Sequence, residues 1–138
     1  MLNIIDIRLT DKAIWVQTDD GREACEEFAD YARLRHATEE ELADYTTDKY
    51  GIHWNQLDED LSFEGFFCDK HHSPLYDLFL QHPELNASAI ARRMGIRQSL
   101  FAQYISGAKR PSAERMSEIY KTLAAIGREL LAEAGAQQ

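Results

Sequence analysis

The sequence lacks the features that mark several large classes of protein. Its apolar runs are all far shorter than the ~20 residues of a membrane-spanning helix, and no signal-peptide pattern opens the chain. Two cysteines are present, Cys25 and Cys68, and they form no closely spaced motif with each other. We therefore expect a cytoplasmic protein with two free thiols and no membrane partner.

Sequence patterns typical of catalysis are lacking as well. There is no nucleophile elbow, no phosphate-binding loop and no convincing set of metal ligands. We expect neither an enzyme nor a bound cofactor.

The sequence contains two clusters of potential metal ligands. Asp58, Glu59 and Asp60 lie close to His53, and this cluster could supply caps and turn hydrogen bonds before a short helix at 61–67, a partner surface, or a metal or hydrolytic site. Three consecutive acids do not converge on one point, which disfavours the metal. Cys68-x-x-His71-His72 lacks the four converging ligands of a zinc site, so a solvated linker is the favoured interpretation.

Basic residues are scarce, but their shortage is confined to one half of the chain. The whole sequence has 15 Lys and Arg against 24 Asp and Glu, a net charge of −9. Residues 1–74 hold 7 basic and 18 acidic side chains, a net charge of −11, whereas residues 75–138 hold 8 and 6, a net charge of +2. This asymmetry predicts two domains with different partners, at 1–70 and 73–138.

The N-terminal part has the pattern of a small α+β domain. β-branched and aromatic residues predict strands at 3–9 and 13–18, and a third strand at 22–28 follows the turn signal Asp19-Asp20-Gly21. Thr38 and Glu41 fit a capping box for a helix that ends near Ala43. A further strand is predicted at 44–50, with Gly51 as its stop.

The stretch Trp54-Asn55-Gln56-Leu57-Asp58-Glu59-Asp60 has the order of a family signature. With the preceding hairpin and the Thr-Glu-Glu-Glu helix start, it resembles the bacterial domain-of-unknown-function family 2442 over residues 1–67. That resemblance implies a fold but no chemistry. Its members often lie beside a small partner gene in arrangements suggestive of toxin–antitoxin pairs, which implies a basic protein partner for the acidic part.

The C-terminal part has the pattern of a helical domain. Ser73-Pro74 predicts a helix start, and helices are expected at 75–81, 86–94 and 98–105, with Gly95 supplying a tight turn between the last two. Ser112 is expected to cap a fourth helix, which Gly127 would break. The pair of helices around Gly95 has the form of a helix-turn-helix.

Residues 73–127 resemble phage-repressor-type helix-turn-helix domains of the Cro and XRE-like kind. The matching positions are Asn86, Ala91, Gly95, Ile96, Phe101, Gly107, Arg110 and Pro111. The resemblance implies a five-helix lambda-repressor-like DNA-binding fold, so the fold class expected for the whole chain is an α+β domain followed by this all-α domain.

The resemblance also implies the residues that would contact double-stranded DNA. Base contacts fall to Arg97, Gln98, Ser99 and Gln103, and phosphate contacts to Asn86, Ser88, Lys109 and Arg110. A homodimer would place two such helices in successive major grooves, and the apolar run 119–131 could form its interface. The expected function is a transcriptional regulator or an antitoxin. The alternative is a protein-interaction adaptor whose acidic N-terminal domain binds a basic partner without DNA binding.

Overall fold

The computed structural model describes residues 2–68 and 73–138. Residues 2–68 form two small antiparallel sheets with short helices, and residues 73–138 are helical. Each part has its own cluster of buried apolar side chains, and the two clusters lie on either side of a shared boundary.

The first sheet is the three-stranded meander that the sequence predicts. It comprises β1 (Ile4–Leu9), β2 (Ala13–Thr18) and β3 (Glu23–Glu27), with β2 in the centre. Ile14 and Val16 of β2 point into the core because alternate residues of a strand share a face.

A bulge in β1 changes which of its isoleucines reach the core. The register with β2 shifts between Ile4 and Asp6, and Ile5 is left 60% exposed. Ile4 and Ile7 pack against the core instead. Such bulges are frequent at sheet edges, where they disrupt further strand pairing.

The second sheet differs from the sequence prediction of one strand over 44–50. It contains β4 (Tyr45–Thr47), β5 (Gly51–Trp54) and β6 (Glu59–Ser62) in that order. The prediction that Gly51 ends a strand was wrong, because Gly51 begins β5. The Asp48 carboxylate accepts hydrogen bonds from the backbone N–H groups of Tyr50 and Gly51, and this turn returns the chain.

Two of the short helices of this part begin at a side-chain cap. A 3-10 turn (Phe28–Asp30) and α1 (Ala32–Arg35) follow β3. The capping box of Thr38 and Glu41 is confirmed at the start of α2 (Glu39–Ala43). The helix predicted at 61–67 is shorter, since α3 (Phe63–Phe67) begins after Ser62, whose hydroxyl accepts from Gly65 N–H. The acids 58–60 therefore do not cap that helix.

The C-terminal part, residues 73–138, contains four helices rather than five. They are α4 (Pro74–Gln81), α5 (Ala87–Met94), α6 (Gln98–Ser106) and α7 (Ala113–Ala136). The predicted break at Gly127 was wrong, because α7 continues through it. A glycine costs a helix only ~1 kcal/mol relative to alanine, and strong helix formers surround this one.

The turn between α5 and α6 is confirmed in the form that the sequence predicts. Gly95 has a φ of 74°, in the left-handed region, and its N–H bonds to carbonyls of the preceding helix turn. Asn86 caps α5 through a hydrogen bond from Ala89 N–H to its Oδ1. Phe101 and Tyr104 of α6 join the helical core.

Candidate nucleic-acid interface

The predicted base-contacting side chains of α6 lie against the acidic N-terminal part. Gln98 Nε2 donates to Asp60 Oδ2 at 2.7 Å, and Gln103 Nε2 donates to Glu64 Oε2 at 3.0 Å. Gln103 is only 5% exposed. Asp60 lies on β6 and Glu64 on α3, so two N-terminal elements contact α6 at successive turns.

The two other predicted base contacts flank this covered face. Ser99 is buried, and its hydroxyl accepts a hydrogen bond from Arg97 Nε at 2.8 Å. The Arg97 guanidinium is exposed and lies 3.8 Å from the centroid of the Tyr50 ring. A cation over an aromatic face is favourable, so Tyr50 holds Arg97 beside the start of α6.

The predicted phosphate contacts divide into an enclosed pair and an exposed pair. Asn86 Nδ2 donates to Asp58 Oδ2 at 2.9 Å, and Ser88 is buried. Lys109 and Arg110 are exposed on the loop that follows α6. Among the predicted phosphate contacts, these two basic side chains are open to solvent.

Arg92 makes a contact that sequence reasoning missed. Its two terminal nitrogens bind the two carboxylate oxygens of Asp58, at 2.9 and 2.6 Å. Arg92 lowers the pKa of Asp58 to about 2, with Asn86 and His53 adding smaller effects in the same direction. Arg92 lies in the last turn of α5. Its side chain is half exposed, yet it joins α5 to the turn before β6.

The acidic stretch is a strand turn rather than a helix cap. Asp58 has a φ of 50°, in the left-handed region that aspartate tolerates better than most residues. His53 on β5 lies beside the same acids, with Nε2 3.8 Å from Asp58 Oδ1 and Nδ1 3.1 Å from Asp60 Oδ1. These contacts all lie within the chain, and a surface for a protein partner at these acids stays a prediction.

Glu59 lies on the opposite face of β6 from Asp60, and the pKa of its carboxyl is raised. The residue keeps part of its surface exposed, but the carboxyl is enclosed by protein atoms, and burial raises its pKa to about 7. A hydrogen bond from Asp60 N–H to Oε1 at 3.1 Å opposes this shift. The proton is therefore bound more tightly in the folded than in the unfolded chain, where the pKa is about 4.5.

The folded state is expected to lose stability as the pH rises towards and through 7. Between pH 5 and pH 8, Glu59 should remove about 1–3 kcal/mol from the free energy of unfolding, because the folded chain must release a proton that the unfolded chain has already lost. Urea unfolding at fixed ionic strength measures this. Glu59→Gln should flatten that loss, and Glu27→Gln, at an exposed position, should retain it. Equal pH dependence in wild type and Glu59→Gln would contradict the expectation.

Metal-binding geometry is not found in the described ranges 2–68 and 73–138. No group of three or more His, Cys, Asp or Glu side chains there could hold a metal ion. His71 and His72, two members of the sequence cluster with Cys68, lie outside the described residues. No disulfide joins Cys25 to Cys68. In the part of the chain that the structure describes, none of the helices has the length and apolar character required to cross a bilayer.

The apolar run predicted as a dimer interface is partly used within the chain. Ile119 is fully buried, and Leu123 and Ile126 pack against the helical core. The large apolar side chains of α7 that stay exposed are Leu131 at 74%, Leu130 and Tyr120. A dimer built on α7 would therefore use its outer face and its C-terminal turns.

Comparison with known proteins finds a similarity for the N-terminal part. Residues 4–70 match a family model described as a protein of unknown function (DUF2442). The resemblance of the N-terminal part is thus confirmed. No family model matches the helical part, and neither a curated protein nor a solved structure matches the chain.

Proposed function

We propose that this chain is a sequence-specific DNA-binding protein, acting as a transcriptional regulator or as the antitoxin of a toxin–antitoxin pair. The observation that carries the proposal is the pair α5 and α6, joined through the left-handed Gly95 in the manner of a helix-turn-helix. Gln98 and Ser99 begin α6, and residues at that end of such a helix face base edges in the major groove.

The side chains of α6 suit base recognition once the helix is free. Gln98 and Gln103 can each bond adenine N6 and N7 together, and Ser99 can donate to or accept from several bases. Arg97 can reach guanine or a phosphate. Because Gln98, Ser99 and Gln103 lie against the N-terminal part in this structure, DNA binding requires β6 and α3 to separate from α6.

Phosphate contacts would fix the orientation of the helix on the duplex. Lys109 and Arg110 are exposed on the loop after α6, where they can approach the backbone without rearrangement. Asn86, Ser88 and the N–H groups at the start of α5 would follow once the acidic part has moved. Two copies of the chain would place two recognition helices about 34 Å apart along the duplex.

Removing Lys109 and Arg110 is expected to weaken DNA binding without affecting sequence preference. The test is a gel shift on the region upstream of the chain's own gene, with salt titrated, for wild type and Lys109→Ala/Arg110→Ala. Each lost phosphate contact should reduce the slope of log affinity against log salt by about 1. We expect the double variant to lose about tenfold in affinity at moderate salt.

A matched variant separates phosphate contact from simple loss of charge. Arg8→Ala/Lys12→Ala removes the same charge from exposed sites in β1 and in the turn that follows it, and it should retain nearly the wild-type slope. Light scattering on the same samples reports whether the chain is a dimer. If no duplex shifts above a random sequence, the adaptor function, with a basic partner bound at the acidic part, becomes the better account.

A further inference from the structure

We propose that Asp58, Asp60 and Glu64 act as an intramolecular substitute for DNA. They keep the predicted base-contacting side chains of α6 covered until the two parts of the chain separate. This inference rests on the proposed DNA-binding function and concerns its regulation. Its basis is that the three acids bind side chains that a helix-turn-helix would turn towards DNA.

The chemistry of the three contacts matches that of a nucleic acid. Asp60 and Glu64 accept hydrogen bonds from the amide groups of Gln98 and Gln103, as base edges would. Asp58 accepts a hydrogen bond from Asn86, a predicted phosphate contact, and presents both oxygens to the neighbouring Arg92 guanidinium, and a phosphate offers the same paired charged acceptors. Carboxylates therefore stand in for both the base acceptors and the backbone anions.

A glycine on α3 lies at the close approach of α3 and α6. An ideal Cβ placed on Gly65 of α3 would lie 3.4 Å from Ser106 Cβ and 3.1 Å from Ser106 Oγ on α6, so the two helices are in close contact at this position. Outside the acidic contacts, Tyr76 on α4 donates its hydroxyl proton to the Asp30 carbonyl at 3.1 Å. The covered arrangement is thus supported by packing as well as by charge.

The same boundary has features that permit separation. The contacts that the three acids make to α5 and α6 are polar. A cavity of about 60 Å³ lies between the parts, lined by residues that include Arg33, Glu59 and Phe101. Each part also has a separate buried cluster, so separation would leave both cores intact. The covered and open forms would then exchange. The apparent affinity for DNA would equal the affinity of the open form multiplied by the fraction of molecules that are open.

A reversible cross-link tests the inference within one molecule. Gly65→Cys/Ser106→Cys, in a Cys25→Ser/Cys68→Ser background, places two thiols where the Cβ separation is close to the ~3.5–4.5 Å of a disulfide. Binding of a fluorescent duplex from the upstream region is measured by anisotropy before and after reduction. We expect the oxidised protein to bind at least tenfold more weakly than the reduced protein. Equal affinity in the two states would overturn the inference.

Neutralising the acids provides an independent arm. Asp58→Asn/Asp60→Asn/Glu64→Gln is expected to bind the same duplex at least fivefold more tightly than wild type. The control Glu27→Gln/Glu39→Gln/Glu40→Gln changes the net charge equally at exposed positions of the N-terminal part. If both triple variants gain the same affinity, the effect is one of overall charge and the inference fails.

The two arms also separate failure of this inference from failure of the proposed function. If the protein binds DNA specifically, and neither the cross-link nor the neutralisation changes the affinity, the DNA-binding function holds and the inference fails. If the reduced protein and the neutralised variant, both folded by circular dichroism, prefer no duplex over a random sequence, the DNA-binding function itself fails. The intramolecular mimic then fails with it.

Discussion

Trp54→Ala is expected to lower the free energy of unfolding by about 3–5 kcal/mol, a large effect for a single substitution. Trp54 has no exposed surface, and its ring lies edge-on to Phe28 and tilted against Tyr45. Its indole Nε1 donates to the Leu42 carbonyl at 2.9 Å. The substitution leaves a large cavity and an unsatisfied buried carbonyl, and each of these destabilises the fold.

The second tryptophan of the sequence is the matched control. Trp15 lies on β2 with its side chain partly exposed, on the face opposite the buried Ile14 and Val16. Trp15→Ala should therefore cost clearly less than Trp54→Ala in urea unfolding followed by far-ultraviolet circular dichroism. Similar costs for the two variants would contradict the position of Trp54 at the centre of the N-terminal core.

The position of Trp54 explains the family signature in physical terms. Trp54 ends β5, residues 55–58 turn, and Glu59 pairs with Trp54 at the start of β6. The tryptophan anchors this hairpin in the core, while the acids that follow it lie at the boundary with α5 and α6. A motif that carried no chemistry in the sequence is thus a hairpin that presents carboxylates to the second part of the chain.

Local signals in the sequence were enough to predict much of the fold. The first meander, the Thr38 capping box, the Ser73-Pro74 helix start and the turn at Gly95 are all confirmed. Each depends on residues within a few positions of one another, since caps and tight turns are formed by neighbouring backbone and side-chain groups.

The second sheet was not predicted from the sequence because Gly51 indicated the end of a strand. Glycine is usually a sign of a turn, yet Gly51 is inside a strand pair, where the close approach of Leu61 requires it. The run Glu59–Ser62 also contains too many acids to resemble a strand. Tertiary packing determines the conformation of such a segment, and a window of a few residues contains little information about that packing.

The boundary between the two parts left only one signal in the sequence. Asp58 and Arg92 are 34 residues apart, and Gln103 and Glu64 are 39 apart, so no periodicity connects them. The net charges of −11 and +2 also favour attraction between the two parts, and different partners for the two parts stay a prediction. Attraction between two regions of one chain is stronger than attraction to a separate molecule because the regions are tethered.

Gly51→Ala is expected to destabilise the chain by about 3 kcal/mol or more, the other large effect. A Cβ at this position would lie 2.1 Å from the Leu61 carbonyl oxygen and 3.0 Å from Ser62 Cα. Both are backbone atoms of β6, so no rotation of a flexible side chain can relieve the overlap. The two strands must move apart or the sheet must be lost.

Gly127→Ala is the control, because a Cβ there meets no atom within 4 Å and the residue lies inside α7. That change should stabilise the chain by up to about 1 kcal/mol, so the two glycine-to-alanine substitutions have opposite signs in urea unfolding. Gly51→Ala with wild-type stability would mean that β5 and β6 are not in close contact.

Because β6 carries Asp60, the movement that relieves the overlap in Gly51→Ala should also draw this acid away from Gln98. In molecules that remain folded, hydrogen exchange at the backbone amides of α6 should then increase relative to the Gly127→Ala protein.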